Sequence, residues 1–300
     1  MSTENWNVTE PQTITVDGVT SLRAGIVGGR LDVIVHDRPD AVIEVSEVRG
    51  DPVAVSLDNG RLEVRHQLQG LEGWFKNLMG TVSGSSENYT VVSIAVPAGV
   101  PVEIGTVSGD GLVSGTGPVT RLNTVSGSVL GDGTRGELHL NTVSGDLIAR
   151  SHEGILTAKT VSGEITASGL LKDIRAKSVS GDLVFDTEGY CESLGASTVS
   201  GDITIRLPRD IGVDLTATTV SGRVVVDDSR FSSFKGRLET ILGPDLKLMV
   251  LRSNTVSGNV SVVHAGQAAS SAEAGYSAEA GYSAGDSADD PTAGGERAAE

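Results

Sequence analysis

Apolar positions in this chain fall in short runs punctuated by glycine, and the runs recur with a fixed period. The tripeptide Val-Ser-Gly begins at Val107, Val125, Val143, Val161, Val179, Val199, Val220 and Val256, at spacings of 18, 18, 18, 18, 20, 21 and 36. Each Val follows Thr or Ser, from Thr106 to Thr255. A unit this short cannot hold a helix pair, which needs roughly 33–47 residues. Its Val, Ile, Thr and Leu content favours strands. Each unit divides into two strand-like pieces separated by glycine, as in Gly145-Asp146-Leu147-Ile148 and Gly154-Ile155-Leu156-Thr157. Coils of this kind pair strands with the coils above and below and bury a thin apolar column between them. The pattern predicts an all-β, single-chain β-solenoid (β-helix) of about eight 18-residue coils over 101–265. At ~4.8 Å per strand spacing its length is on the order of 40 Å. The final spacing of 36 is twice the period and predicts a coil near Leu238 that has lost the motif.

The inward face follows from the alternation. Leu140-Asn141-Thr142 and Ala158-Lys159-Thr160 put Leu, Ala and Thr inside, whereas Val143-Ser144-Gly145-Asp146-Leu147 reads best with Val143, Gly145 and Leu147 inside. The two parities clash, so each coil turns a corner between residues such as Asn141 and Asp146. Stacked exposed valines are an aggregation hazard, so Val is expected to point inward.

Residues 1–100 lack the period but read as strands at Gln12–Val16, Arg30–Val35, Ala41–Val48, Val53–Leu57, Arg61–His66 and Tyr89–Val96. Asp58-Asn59-Gly60 is a hairpin turn between two of them. This segment is expected to lead into the solenoid and cap its first coil, with an amphipathic insert near 67–88. There Leu68, Leu71, Phe75 and Leu78 recur at helical steps beside Trp74 and Met79. The preferred reading is a lid on the open coil; the sharper one is a docking element with Leu71, Trp74, Phe75 and Leu78 as partner-binding residues. Val82-Ser83-Gly84 is out of phase with the repeat. Residues 266–300 hold seven acids and one Arg among Ala, Gly and Ser, and read as a disordered acidic tail.

Composition narrows the function. With 23 Lys+Arg against 39 Asp+Glu, the net charge of −16 opposes binding to nucleic acid and general attraction to an anionic membrane. The lone Cys191 has no internal disulfide partner. The polar N-terminus has no leader pattern, and no run approaches the ~18–20 apolar residues of a membrane span. These features predict a cytoplasmic protein without an integral membrane segment, with surface attachment left open.

Candidate chemistry is sparse. The residue after each motif glycine forms a column of Asp110, Ser128, Asp146, Glu164, Asp182, Asp202, Arg223 and Asn259. Asp146, Glu164, Asp182 and Asp202 place carboxylates about one strand spacing apart. They read as a solvated, solubilising edge, and otherwise as a weak Ca²⁺ site or a strip for a cationic peptide. The five His show no ligand spacing, the repeated Ser lacks an activating base, and the glycines obey the coil period rather than a phosphate loop. Neither catalytic nor cofactor-binding residues are expected. A Thr-x-Ser hydroxyl array, if outward-facing, would resemble an ice-binding surface, but coil-turn hydrogen bonding explains those residues better.

Through Thr142-Val143-Ser144-Gly145-Asp146, Ser178-Val179-Ser180-Gly181-Asp182 and the strand ending Ala95-Val96-Pro97-Ala98-Gly99, residues 10–264 resemble the bacterial putative adhesin family, a domain of unknown function. The resemblance implies cell-surface attachment. Some Gram-positive relatives are tied to envelope-stress responses and antimicrobial peptide sensing. The expected function is therefore a non-enzymatic binding or scaffold protein whose partner is a protein, a peptide or an envelope component. The alternatives are a carbohydrate-active enzyme on a β-helix and a structural protein that assembles end to end.

Overall fold

Strict alternation of buried and outward residues, as in Leu194-Gly195-Ala196-Ser197-Thr198, makes nearly every segment of this chain a half-buried strand. In the computed structural model, residues 3–66, 88–231, 236–244 and 247–265 are described. They form 24 strands in one continuously hydrogen-bonded sheet, and none of them is helical. The expected insert near 67–88, apart from Asn88 at its end, and the tail 266–300 lie outside the described residues. The fold is all-β and solenoid-like.

The sheet bends into two facing columns of parallel strands. One runs through Ser21–Ile26, Val102–Thr106, Val119–Thr124, Arg135–Thr142 and the second half of Leu147–Lys159. The other runs through Gly29–His36, Asp110–Ser114, Val129–Asp132 and the first half of Leu147–Lys159. Pairing advances by one period, as in Val129 on Leu147 and Leu147 on Ile165. Leu138, Leu156, Ile174 and Leu194 stack in one column, facing Leu147, Ile165, Leu183 and Ile203 in the other, all essentially inaccessible. Among the described residues this hydrophobic core is aliphatic, apart from Phe185, Cys191 and Met249.

Spatial order departs from chain order at both ends. The strand Ser193–Thr198 pairs with Leu248–Thr255, which in turn pairs with Gly212–Thr219. In the facing column, Ile203–Leu207 pairs with Val260–His264, which pairs with Val224–Val226. The last rung is thus seated between the two that precede it. The expected coil near Leu238 is not there: Gly236–Leu242 runs antiparallel along Gly212–Thr219 and closes that column's edge. Ser229–Phe231 closes the other column in the same way. A chain that must return to fill the vacant slot runs backwards first, and this return takes up the doubled spacing.

At the opposite end, residues 21–36 sit between residues 102–114 and the strands Arg61–His66 and Tyr89–Pro97. Parallel stacking therefore extends well upstream of residue 100. Antiparallel Glu4–Val8 and Val53–Asp58 cover one column, and Gln12–Val16 and Ala41–Arg49 the other. Asn59 and Gly60, at φ of 50° and 80°, make the expected hairpin turn.

The motif is the corner, and it reverses the expected orientation of Val. Thr142 and Gly145 are buried, and Val143 and Ser144 point outward between them. Val161, Val179 and Val199 are 47–48% exposed, and Val220 is 65% exposed. Thr142 Oγ1 accepts the Gly145 N–H at 2.9 Å and donates to the Gly145 carbonyl at 2.8 Å. An inward Val would leave that buried N–H unpaired, at about 1–3 kcal/mol. Shielding the rest of a half-covered Val returns about 1 kcal/mol, so Thr takes the inside. Glycine follows because rungs approach closely here: a Cβ on Gly163 would lie 1.9 Å from the Gly145 carbonyl oxygen.

Candidate functional site

The acidic column is built from residues that open the second strand of each rung. Asp110 Oδ1 accepts the Ser128 N–H at 3.1 Å, Asp146 Oδ1 the Glu164 N–H at 3.2 Å, and Asp182 Oδ1 the Asp202 N–H at 2.8 Å. Asp202 Oδ1 then accepts the Asn259 N–H at 2.7 Å, and Asn259 Oδ1 the Arg223 N–H at 3.2 Å. Asn259 thus stands between Asp202 and Arg223, in the order of the rungs in space. These side chains cap the free N–H of the next rung, which an outward Asp or Asn at a strand start does well. Among the described residues, no group of three or more His, Cys, Asp or Glu is placed to hold a metal ion. The inter-rung caps were missed from sequence, although the recurring Asp, Ser and Asn after glycine were their signal.

The hydroxyls are also committed to the fold. Thr106, Thr124, Thr142 and Thr160 are buried, so no outward Thr-x-Ser array exists. Ser126, Ser144, Ser162 and Ser180 are exposed, and each Oγ donates to the motif Val carbonyl of the rung before, at 3.1–3.2 Å. His152 is inaccessible, with Nδ1 against the hydroxyl and carbonyl of Thr134 and Nε2 3.2 Å from the Ile155 carbonyl; burial lowers its pKa. His66 Nδ1 accepts the Val27 N–H at 3.1 Å, and burial lowers its pKa too. His264 lies between Asp227 Oδ2 at 2.6 Å and the Ile211 carbonyl at 2.7 Å, so both ring nitrogens are occupied. Cys191 is buried, and desolvation pushes its thiol up to about 12, far from thiolate chemistry. Among the described residues, neither the motif hydroxyls nor this thiol is hydrogen-bonded to an imidazole nitrogen.

What remains for a ligand is the outward surface of the first column. Here Lys159 pairs in register with Lys177, and Arg175 is followed by Gly195 and then Arg252. A concavity of about 520 Å³ opens over these strands, lined by Thr157, Lys159, Arg175, Lys177, Ser197 and Arg252 among others. A second recess of about 450 Å³ shares Lys159, Lys177, Ser197 and Asn254, and reaches Val179, Val199 and Val256 on the corner. Sequence reading did not find this surface, because Arg252 joins the others only through the seating of the last rung. The candidates Leu71, Trp74, Phe75 and Leu78 lie outside the described residues. No helix among the described residues is long and apolar enough to cross a membrane.

Solved structures of similar architecture span most of this chain. A putative lipid-binding protein from Parabacteroides distasonis is 16% identical with a TM-score of 0.50, covering 85% of this chain and 98% of its own. A putative adhesin from the same organism is 12% identical, TM-score 0.42, over 84% and 97% of the two chains. A putative adhesin from Parabacteroides merdae is 11% identical, TM-score 0.40, over 87% and 95%. At such identities the likeness concerns fold alone. No curated protein matches the chain. The Toastrack DUF4097 family model matches residues 12–263, which hold essentially both columns and all the closing strands except Glu4–Val8, and the chain belongs to that family.

Proposed function

We propose that this protein is a non-enzymatic binding and scaffold module that presents its ligand surface on the outward side of the rungs. One observation carries the reading. The repeated hydroxyls and carboxylates, which would be the reactive groups of an enzyme, are spent on holding rung to rung. The residues that vary from rung to rung face outward over an open concavity instead. The family and the fold supply no activity by themselves. An envelope component is the partner class this surface suits, because a long parallel face offers repeated contacts to a repeating ligand.

The test is co-sedimentation of the full chain with purified bacterial cell walls, with parallel assay of the walls for released reducing ends. Saturable retention without release is expected. Release that disappears on changing Asp182 and Asp202 to Ala would overturn the reading in favour of a glycan-cleaving enzyme.

A further inference from the structure

We propose that the concavity over the first column is a binding site for a linear acidic glycan. Its carboxylates would sit on Lys159, Arg175, Lys177 and Arg252, and its hydroxyls on Thr157, Ser197 and Asn254. The proposal rests on the binding-module reading above and names the ligand class for it.

Charge placement is the first observation. In a chain of net charge −16, four cations gather around one groove. Lys159 and Lys177 face each other directly across neighbouring parallel strands, about 4.8 Å apart at the backbone, a pairing of like charges that disfavours the sheet. Many outward arginines elsewhere are matched with acids, among them Arg23 with Glu103, Arg30 with Asp32, Arg135 with Glu153 and Arg206 with Asp186. Those not matched among the described residues, such as Arg65, Arg121 and Arg150, stand outside this groove. Within the groove only Arg175 is matched, to Asp173 at 2.9 Å. Lys159, Lys177 and Arg252 make no ion pair among the described residues. Asp214, the next acid in register, is partnered with Val250 at the groove's far edge. Anions therefore have a defined seat here despite the charge of the whole protein.

The shape of the floor selects among anions. Gly195 stands between Arg175 and Arg252, and a Cβ there would meet nothing within 4 Å. The missing side chain leaves a gap two strand spacings long between the two guanidinium groups. Around it, the side chains of Thr157, Ser197 and Asn254 make no hydrogen bond to other described residues. The phosphate and ester oxygens of a phospholipid only accept hydrogen bonds, whereas the hydroxyls of a sugar chain both donate and accept, as the side chains of Thr157, Ser197 and Asn254 do. None of the groove's lining residues is aromatic, so the stacking that holds single-stranded nucleic acid is absent from it. Along the groove's edge, Val179, Val199 and Val256 supply an apolar rail for the C–H faces of sugar rings. Carboxylates spaced along a polymer, with hydroxyls between, match this sequence of cations and polar groups.

The experiment is calorimetric titration of the full chain with hexagalacturonate, and with cellohexaose as the neutral chain of equal length. Lys177→Gln/Arg252→Gln and Lys177→Glu/Arg252→Glu variants are titrated alongside, with circular dichroism to verify their fold. Hexagalacturonate should bind saturably and weaken with added salt. The Gln pair should lower affinity about tenfold and the Glu pair more, at unchanged melting temperature. Equal binding of cellohexaose, unchanged affinity in folded variants, or preferential binding of DNA or anionic phospholipid vesicles would each overturn the proposal. If cell walls still retain the Glu variant while hexagalacturonate binds neither it nor the wild type, the binding module stands and this groove assignment falls. If the wild type is retained by neither probe, both readings fall.

Discussion

Replacing Gly163 with Ala tests the corner directly. The added methyl would lie 1.9 Å from the Gly145 carbonyl oxygen and 2.8 Å from its carbon, both backbone atoms. An ordinary contact is near 3.4 Å, so the two rungs must separate by about 1.5 Å at this point. Three bonds span the same gap: Ser162 N–H to Val143 O at 2.8 Å, Leu147 N–H to Glu164 O at 3.0 Å, and Glu164 N–H to Asp146 Oδ1 at 3.2 Å. None survives an added 1.5 Å, and each contributes about 1 kcal/mol. With some relief by local tilting, and the strain of overpacking added, the loss is about 3–5 kcal/mol. Gly195→Ala is the matched control, since its Cβ meets open space; losing unfolded-state freedom makes it neutral or stabilising by about 0.5 kcal/mol. Urea unfolding followed by circular dichroism reads both. If Gly163→Ala unfolds at the same urea concentration as Gly195→Ala, close rung approach is not what demands glycine at the corner.

Acid should weaken the fold through its buried imidazoles. Desolvation lowers the pKa of His66 and His152 in the folded chain, whereas the unfolded chain titrates near 6.5. Below that value the unfolded state takes up protons that the folded state refuses. Stability is therefore full above pH 6.5 and falls below it, by at most about 1.4 kcal/mol per pH unit for each His. Melting temperatures measured from about pH 7.5 down to 5 should drop, and the drop should shrink in His152→Gln; a flat profile would refute the assignment. Thr142→Val removes the hydroxyl bonded to Gly145 and should destabilise by about 1–3 kcal/mol, while Val179→Ser, on the outward side of an equivalent corner, should change stability by less than about 0.5 kcal/mol. The reverse ranking would restore the inward Val.

Much of the architecture was legible because strand alternation and punctuation are local. The segments read at Gln12–Val16, Ala41–Val48 and Arg61–His66 coincide with strands to within a residue, as does the Asn59-Gly60 turn. The orientation of Val was not legible, because alternation fails at a corner and the decisive partner, the buried Gly145 N–H, belongs to the backbone. Rung order was hidden for a different reason. Near-identical rungs are equally good neighbours by composition, so the period says nothing about which sits beside which. Residues 21–36 escaped recognition as a rung because Ile26-Val27-Gly28 turns the corner in place of the motif. The cationic groove inherits this difficulty, since Arg175 and Arg252 are far apart in the chain and share a surface only when rungs are seated out of order.

That seating bears on how the chain is made. Most neighbouring rungs are 18 residues apart and can close as they emerge from the ribosome, but Asp202 finds Asn259 across 57. The longer closure adds only about 1 kcal/mol of entropy, so the difficulty is one of timing. Residues 212–226 are synthesised first, with corners that match the exposed edge of residues 193–207 just as well as the rung still to come. A nascent chain halted before residue 248 therefore has a well-bonded wrong place in which to put them. The rung at residues 248–264 corrects this by occupying the middle seat, so a rung made after both of its neighbours becomes interior to the stack. Fraying of the stack at that end must then begin with the antiparallel return strands rather than with residues 248–264, and a chain cut before residue 248 is a mis-stacked one rather than a smaller one.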